Sequence, residues 1–191
     1  MCQGFLGPKV HSANPASPDL SVTIQQVVGA LFSCLEAHQS YWMTHEGIRT
    51  VPEFGFAYDL DLPPIHVDRK RMLSTFLKGV EELPSILEPA LSPSTLQQIR
   101  EIAKLGGEGA GFPDDLWVRT VYEFAGAFHR SVINRDHLLQ ALTPLYLGRI
   151  NSFFSENHRS SATGARERTK QLRSEFENLK PYLEERWNAQ T

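Results

Sequence analysis

The sequence predicts a mainly α protein: a helical bundle of about six helices with a short N-terminal strand and an irregular loop near 44–66. Two patterns predict this fold class. Apolar residues recur at three- and four-residue spacing over most of the chain after residue 19, as on one face of a helix. Glycine and proline interrupt the chain where these patterns stop. With 191 residues, 41% of them hydrophobic, the chain is long enough to bury one sizeable core or two small ones.

The first predicted helix begins near Asp19, where Ser17 or Asp19 caps its N-terminus. Cys34 falls on the flank of its apolar stripe, and we expect it to be a small buried residue. The stripe, at helical spacing, consists of Leu20, Ile24, Val27, Val28, Leu31 and Leu35. Within the following irregular loop, residues 54–60 are predicted to form a short extended piece.

Five further helices are predicted, over about 68–83, 92–103, 113–130, 134–157 and 161–187. Ser92 and Pro93 are typical of an N-cap and a first helical residue. Pro84 can start a fresh turn but cannot continue the helix before it, because it has no N–H group to donate. Pro144 is predicted to kink the fourth of these helices for the same reason.

The N-terminal segment differs from the rest of the chain. A short strand over Cys2–Leu6 and an irregular loop are predicted there, with no earlier element for the strand to pair with. We therefore expect residues 1–18 to be the strand and loop remnant of another domain, which is missing upstream. Residues 19–191 are expected to form the helical domain.

Composition excludes several classes of protein. The chain carries 19 Lys+Arg and 22 Asp+Glu, a net charge of −3, whereas a dedicated nucleic-acid binder needs a basic surplus. No apolar run approaches the roughly 18–20 residues that span a bilayer, and the first residues do not form a signal peptide. Two cysteines, Cys2 and Cys34, exclude a disulfide scaffold and an all-cysteine zinc site. We therefore expect a cytoplasmic protein without a membrane span.

Two short motifs invite a ligand-binding interpretation. Residues 106–111 are rich in glycine, but they follow a predicted helix rather than a strand, and Asp114 and Asp115 would repel a phosphate. A helix C-cap followed by a loop is the favoured interpretation. Asp59 and Asp61 have the spacing of an Asp-x-Asp cation site, but a solvated turn before Pro63 is favoured.

The histidines form no dense metal motif. His38 and His45 lie near a predicted helix end, seven residues apart. His129 and His137 flank a polar turn, where a hydrogen-bonded helix junction is favoured over the active site of a hydrolase. The alternating basic and acidic residues of the last predicted helix are typical of a solvated face.

Several stretches of the chain resemble the C-terminal half of glycosyltransferases related to the mannosylglycerate and glucosylglycerate synthases. The most extensive is LWVRTVYEFAGAFHRSVINRDHLLQALTPLYLGRINSFF, residues 116–154. The others are FLGPKVH at 5–11, QQVVGALF at 25–32 and FENLKPYLEERW at 176–187.

The resemblance implies an enzyme with two domains that have different roles. Such enzymes pair an N-terminal nucleotide-sugar domain of the GT-A type, whose Asp-x-Asp motif holds a divalent cation, with a helical C-terminal domain. His11 matches the histidine that completes the metal shell, and Lys9 is positioned to reach a phosphate. A Mg or Mn cation is therefore expected only if the missing domain is supplied, and the isolated chain is expected to lack transferase activity.

Two functions remain open. The chain is either the C-terminal portion of a glycosyltransferase that works with a partner chain carrying the nucleotide-sugar domain, or a non-enzymatic helical module for protein contacts or oligomerisation. In both cases the exposed strand and an apolar loop containing Phe54, Phe56 and Tyr58 predict a homo-oligomer, most simply a homodimer.

Overall fold

The structure, a computed structural model, describes residues 3–4, 20–44, 53–54, 68–106, 111–157 and 162–189. Within these ranges, helices predominate, which confirms the mainly α prediction. No helix in the described ranges is long and apolar enough to cross a membrane. The elements are β1 (Gln3–Gly4), α1 (Leu20–Ala37), α2 (Gln39–Thr44), β2 (Glu53–Phe54), α3 (Arg69–Glu82), α4 (Pro84–Ala90), α5 (Pro93–Lys104), α6 (Asp114–His129), α7 (Arg135–Asn157), α8 (Ala162–Asn178) and α9 (Lys180–Asn188).

The described part of the chain contains nine helices rather than about six. The short helices α2 and α4 account for two of the additional ones. The last predicted helix is divided at Leu179 into α8 and α9, because Pro181 in the first turn of α9 has no N–H with which to continue the ladder. Pro84 does open a new helix, and Ser92 caps α5 by accepting a hydrogen bond from the Thr95 N–H, as predicted.

The five-residue strand predicted over Cys2–Leu6 is not supported. Among the described residues, only Gln3–Gly4 is extended there, and it pairs in parallel with Glu53–Phe54. The prediction that no earlier element pairs with this segment is not contradicted, because the partner of Gln3–Gly4 comes later in the chain. A ladder of two residues is far shorter than an ordinary strand and contributes little to stability.

Helix α6 lies at the centre of the bundle. It packs against α1, α4, α5, α7, α8 and α9, and eleven of its sixteen residues are buried. Because neighbours cover all of its sides, α6 carries its polar groups inside the core, where each needs a partner. The buried residues of α6 are Leu116, Trp117, Val118, Thr120, Tyr122, Glu123, Phe124, Ala125, Gly126, Ala127 and Phe128.

Helices α3 and α7 form the most extensive helix pair. A Cβ atom at Gly79 would lie 2.4 Å from the ring of Pro144, and one at Gly148 would lie 2.5 Å from the ring of Phe76. Each helix therefore supplies a glycine where the other supplies a bulky ring, and the two backbones approach closely. Helix α7 continues through Pro144, and the proline ring fills the space opposite Gly79.

Helix α1 does not bury the whole stripe predicted for it. Ile24 and Phe32 are buried, whereas Val27 and Leu31 are 63% and 52% exposed. Cys34, expected to be buried, is also exposed. The periodicity could not separate these sides, because α1 is apolar on both its inner and its outer faces.

Replacing Gly79 by alanine tests the close packing of α3 and α7. The Pro144 ring is tied to its own backbone and cannot move aside, so we expect Gly79→Ala to lower the free energy of unfolding by about 1–3 kcal/mol. This loss should appear although alanine favours helices over glycine by about 1 kcal/mol. Urea denaturation measures the change. Ser74→Ala, at an exposed position of the same helix, should stay within about 0.5 kcal/mol of the wild type. A stabilised Gly79→Ala protein would show that the two helices do not pack so closely.

Candidate functional site

The residues predicted to bind metal and substrate, His11 and Lys9, lie outside the described residues. The same holds for Asp59, Asp61 and His45. Among the described residues, no group of three His, Cys, Asp or Glu side chains is placed to hold a metal ion. What the structure does describe is three clusters of polar side chains at helix junctions, together with one surface groove.

The first cluster surrounds the carboxylate of Glu123, which is fully buried in α6. The Ser92 N–H donates to Oε2 at 2.6 Å, and the Ser92 hydroxyl donates to Oε1 at 2.8 Å. Oε1 also accepts hydrogen bonds from the hydroxyls of Thr95, at 2.7 Å, and of Tyr182. The carboxylate therefore sits at the N-terminus of α5, where peptide N–H groups and the helix dipole stabilise a negative charge.

Tyr182 connects this cluster to α9. Burial raises the pKa of Tyr182, and so do its hydrogen bond to Glu123 and the charge of that carboxylate. The phenol therefore stays protonated at neutral pH and acts as a hydrogen-bond donor. On the other side, the Arg119 guanidinium lies 4.9 Å from the centre of the Tyr182 ring, within the range of a cation–π contact.

The second cluster joins α6, α7 and α8 through Asp114. Its carboxylate pairs with Arg149 of α7 and, at 3.1 Å, with Arg168 of α8. Arg149 also donates to the carbonyl of Phe112 at 2.7 Å. Burial lowers the pKa of Arg149, and the nearby Asp114 carboxylate opposes that shift. Because the cluster pairs each guanidinium with acid, it leaves no surplus positive charge to attract a phosphate.

Glu156 extends the Asp114 cluster. It accepts a hydrogen bond from Ser152 at 2.7 Å and pairs with Arg168 at 3.3 Å. Ser152 in turn accepts the Phe112 N–H at 2.7 Å. The basic residues of the last predicted helix are thus not all on a solvated face, because Arg168 bridges two acids on neighbouring helices.

The glycine-rich segment before α6 ends the preceding helix. Gly106 has a φ of +68°, a conformation that glycine adopts without strain, and its N–H donates to the Ala103 carbonyl. This agrees with the helix C-cap interpretation at residue 106. Residues 107–110 lie outside the described ranges.

The third cluster joins α1, α6 and α7 around Glu36. One oxygen of its carboxylate lies 2.6 Å from the Arg135 guanidinium and 3.3 Å from Nδ1 of His129. The His129 ring stacks on Trp187 with centroids 4.1 Å apart. This arrangement is a helix junction, and nothing in it provides a nucleophile next to His129. His137 is exposed, and its backbone N–H donates to Oδ1 of Asn134, which caps α7 as predicted.

Two buried nitrogens next to this junction have no hydrogen-bond partner among the described residues: Nε of Arg186 and Nε1 of Trp187. The backbone carbonyl of Arg186 accepts a hydrogen bond from the Arg130 guanidinium. A Cβ at Gly126 would lie 2.9 Å from the same carbonyl, so α6 and α9 approach closely there. The junction is therefore tightly packed.

A groove of about 450 Å³ lies between α4 and α5. Its apolar lining comes from Leu91, Pro93 and Leu96. Arg100 and Glu88 form an ion pair at 2.8 Å across it, both largely exposed. Such a pair contributes little to stability, and the groove is open to solvent.

Sequence reasoning missed Glu123 and Glu36, the acceptors that organise two of the three clusters. A signal for Glu123 was present, since it is the one charged residue within the apolar run of residues 120–128. A charged residue in such a run is buried only when it is paired or hydrogen-bonded. Glu36 carries no comparable signal, because its partners lie about 90–100 positions away in sequence.

Replacing Glu123 by glutamine tests the first cluster. Glutamine preserves the shape but presents an amide NH₂ to groups that themselves donate, so at least one buried donor loses its acceptor. We expect Glu123→Gln to reduce the free energy of unfolding by about 2–3 kcal/mol in urea titrations. The matched control is Glu101→Gln, at an exposed position of α5, which should change stability by less than about 0.5 kcal/mol. Equal effects at the two positions would contradict the role assigned to Glu123.

The burial of Tyr122 predicts that the free energy of unfolding changes with pH in the alkaline range. Burial raises the pKa of Tyr122, as does the nearby charge of Glu177, and its hydroxyl donates to the Phe176 carbonyl. The folded protein therefore keeps the proton that the unfolded chain loses above about pH 10, so stability should fall as pH rises beyond that value.

Urea midpoints between pH 8 and pH 11 measure this slope. Tyr122→Phe should flatten it in part, since Tyr182 contributes in the same direction. Ser74→Ala, which removes no titratable group from an exposed position, should retain the wild-type slope. An unchanged slope in Tyr122→Phe would rule out the contribution assigned to this phenol.

No family model, curated protein or solved structure matches this chain. The functional assignment therefore depends on the residues of the chain itself.

Proposed function

We propose that this chain is the helical C-terminal portion of a glycosyltransferase resembling the mannosylglycerate and glucosylglycerate synthases. Such an enzyme moves a sugar from a nucleoside-diphosphate sugar to a small acceptor such as glycerate. One observation on α6 and α7 favours a structural rather than a catalytic role for the described helices. They span the block of greatest resemblance, and their buried acid and guanidinium groups are engaged in contacts between helices.

In this proposal, the catalytic groups belong mainly to a partner chain that carries the nucleotide-sugar domain. Residues 1–18 are the part of this chain that meets that domain, with His11 as a metal ligand and Lys9 near a phosphate. In this proposal, the other ligands of a Mg or Mn ion come from the Asp-x-Asp motif of the partner. The complex would work in the cytoplasm, consistent with the low cysteine content.

Turnover of nucleotide sugars tests this proposal. The pure chain should not consume GDP-mannose, GDP-glucose or UDP-glucose in the presence of D-glycerate and Mn²⁺, because one histidine cannot hold a catalytic cation. Co-expression with a nucleotide-sugar domain encoded next to it should restore turnover, measured as released nucleoside diphosphate. Turnover by the pure chain would contradict the division between two chains.

In the active complex, His11→Ala should reduce turnover by about 100-fold or more, since even supporting residues of metal sites contribute 10–100-fold. Lys9→Ala should mainly raise KM for the sugar nucleotide. His137→Ala, at an exposed histidine far along the chain, is the matched control and should leave turnover unchanged. If His11→Ala and His137→Ala behave alike, His11 is not a metal ligand.

The second candidate function is a non-enzymatic module for protein contacts. It is favoured by one observation, the exposed apolar residues along the outer side of α1. A protein of this kind would associate without sugar-nucleotide turnover in any combination of chains. The turnover assay above therefore separates the two functions.

A further inference from the structure

The surface formed by α1 and α2 is almost free of charge. Between Leu20 and Thr44, Glu36 is the only Asp, Glu, Lys or Arg, whereas 21% of the whole chain is charged. The side chain of Glu36 is 24% exposed and is engaged by Arg135 and His129 on neighbouring helices. The part of this surface that faces solvent therefore carries no Asp, Glu, Lys or Arg side chain available to a partner, and its exposed imidazole is that of His38.

The outer side of α1 is also apolar. Val27 and Leu31 are among the most exposed large hydrophobic residues in the described ranges, and helical spacing places Thr23, Ala30 and Cys34 beside them. All five are exposed, and together we call them the α1 outer face. The opposite side of the same helix packs against α6 and α7, with Phe32 completely buried.

A helix that is apolar on both sides is typical of one that is covered on both sides. Depletion of charged residues is likewise the compositional signature of the centre of a protein interface. Among the described residues, the remaining exposed large hydrophobics away from α1 and α2 are Leu105, directly after α5, and Phe154 on α7. The α1 outer face is thus the continuous apolar strip on the described surface.

We propose that two copies of this chain associate through the α1 outer face. A symmetric dimer places the same patch on both subunits, and a patch without charge meets its own copy without like-charge repulsion. An oppositely charged partner would find no ion pair here. The α1 outer face of a second copy is apolar as well, and it is therefore complementary to this surface.

The size of the α1 outer face determines the expected affinity of the dimer. Helix α1 has 18 residues and is therefore about 27 Å long. One helix face of that length is smaller than the roughly 800 Å² per partner of a standard interface, so the dimer should be weak, with dissociation in the micromolar range. This inference does not depend on sugar transfer and holds for either candidate function.

Light scattering of the full chain over about 5–500 μM tests the proposal. The weight-average mass should rise from near 21.6 kDa towards twice that value. Leu31→Lys places a charge on the face and should keep the protein monomeric over the whole range. Leu105→Lys is the matched control, because it makes the same change at an exposed leucine outside the face and should leave association intact. A wild-type monomer at 500 μM would overturn the proposal, as would equal association of the two variants.

The thiol of Cys34 provides a second readout that does not depend on a variant folding correctly. In a Cys2→Ser background it is the remaining thiol, and it lies within the face. Its labelling by a disulfide reagent should become several-fold slower as protein concentration rises through the dimer range. Labelling that is rapid at every concentration would refute the dimer, and labelling that is slow at every concentration would show that the chain itself covers the face. Neither result depends on sugar-nucleotide turnover, so the two proposals can fail separately.

Discussion

The carboxylate of Glu123 is the constraint on which much of the bundle depends. A buried charge is tolerated only where several donors replace the water it has lost, and here the donors come from α5 and α9. Since the acceptor lies on α6, these two helices can approach the central helix only in an arrangement that keeps every donor aimed at it. Apolar packing alone would permit many similar arrangements, whereas this set of hydrogen bonds selects one.

The limits of sequence analysis follow from the same physics. Capping residues and prolines act locally, so the starts of α4 and α5 were predictable from Pro84, Ser92 and Pro93. The partners of Glu36 and Asp114 come from distant parts of the chain, and no local pattern reveals them. For α1, Val27 and Leu31 were assigned to the same apolar stripe as Ile24, because periodicity measures apolar spacing but not which of two apolar sides faces the core. The candidate site at Lys9 and His11 was predicted from a resemblance alone.

The distribution of polar groups bears on what the helical part of the chain contributes to function. Catalytic acids and bases must keep a free atom for substrate, whereas the acids at the three junctions direct their oxygens at neighbouring helices. Acids that bridge helices in this way make a bundle stiff rather than reactive. A rigid bundle of this kind suits the supporting role proposed above.

The contact between Gly79 and Pro144 also constrains how the sequence can evolve. A proline within a helix costs a backbone hydrogen bond, and here its ring occupies space that the opposing residue leaves by having no side chain. Neither position can drift independently: a larger residue at 79 requires a smaller one at 144, or a wider separation of the two helices. Among divergent descendants of this chain, positions 79 and 144 should therefore covary.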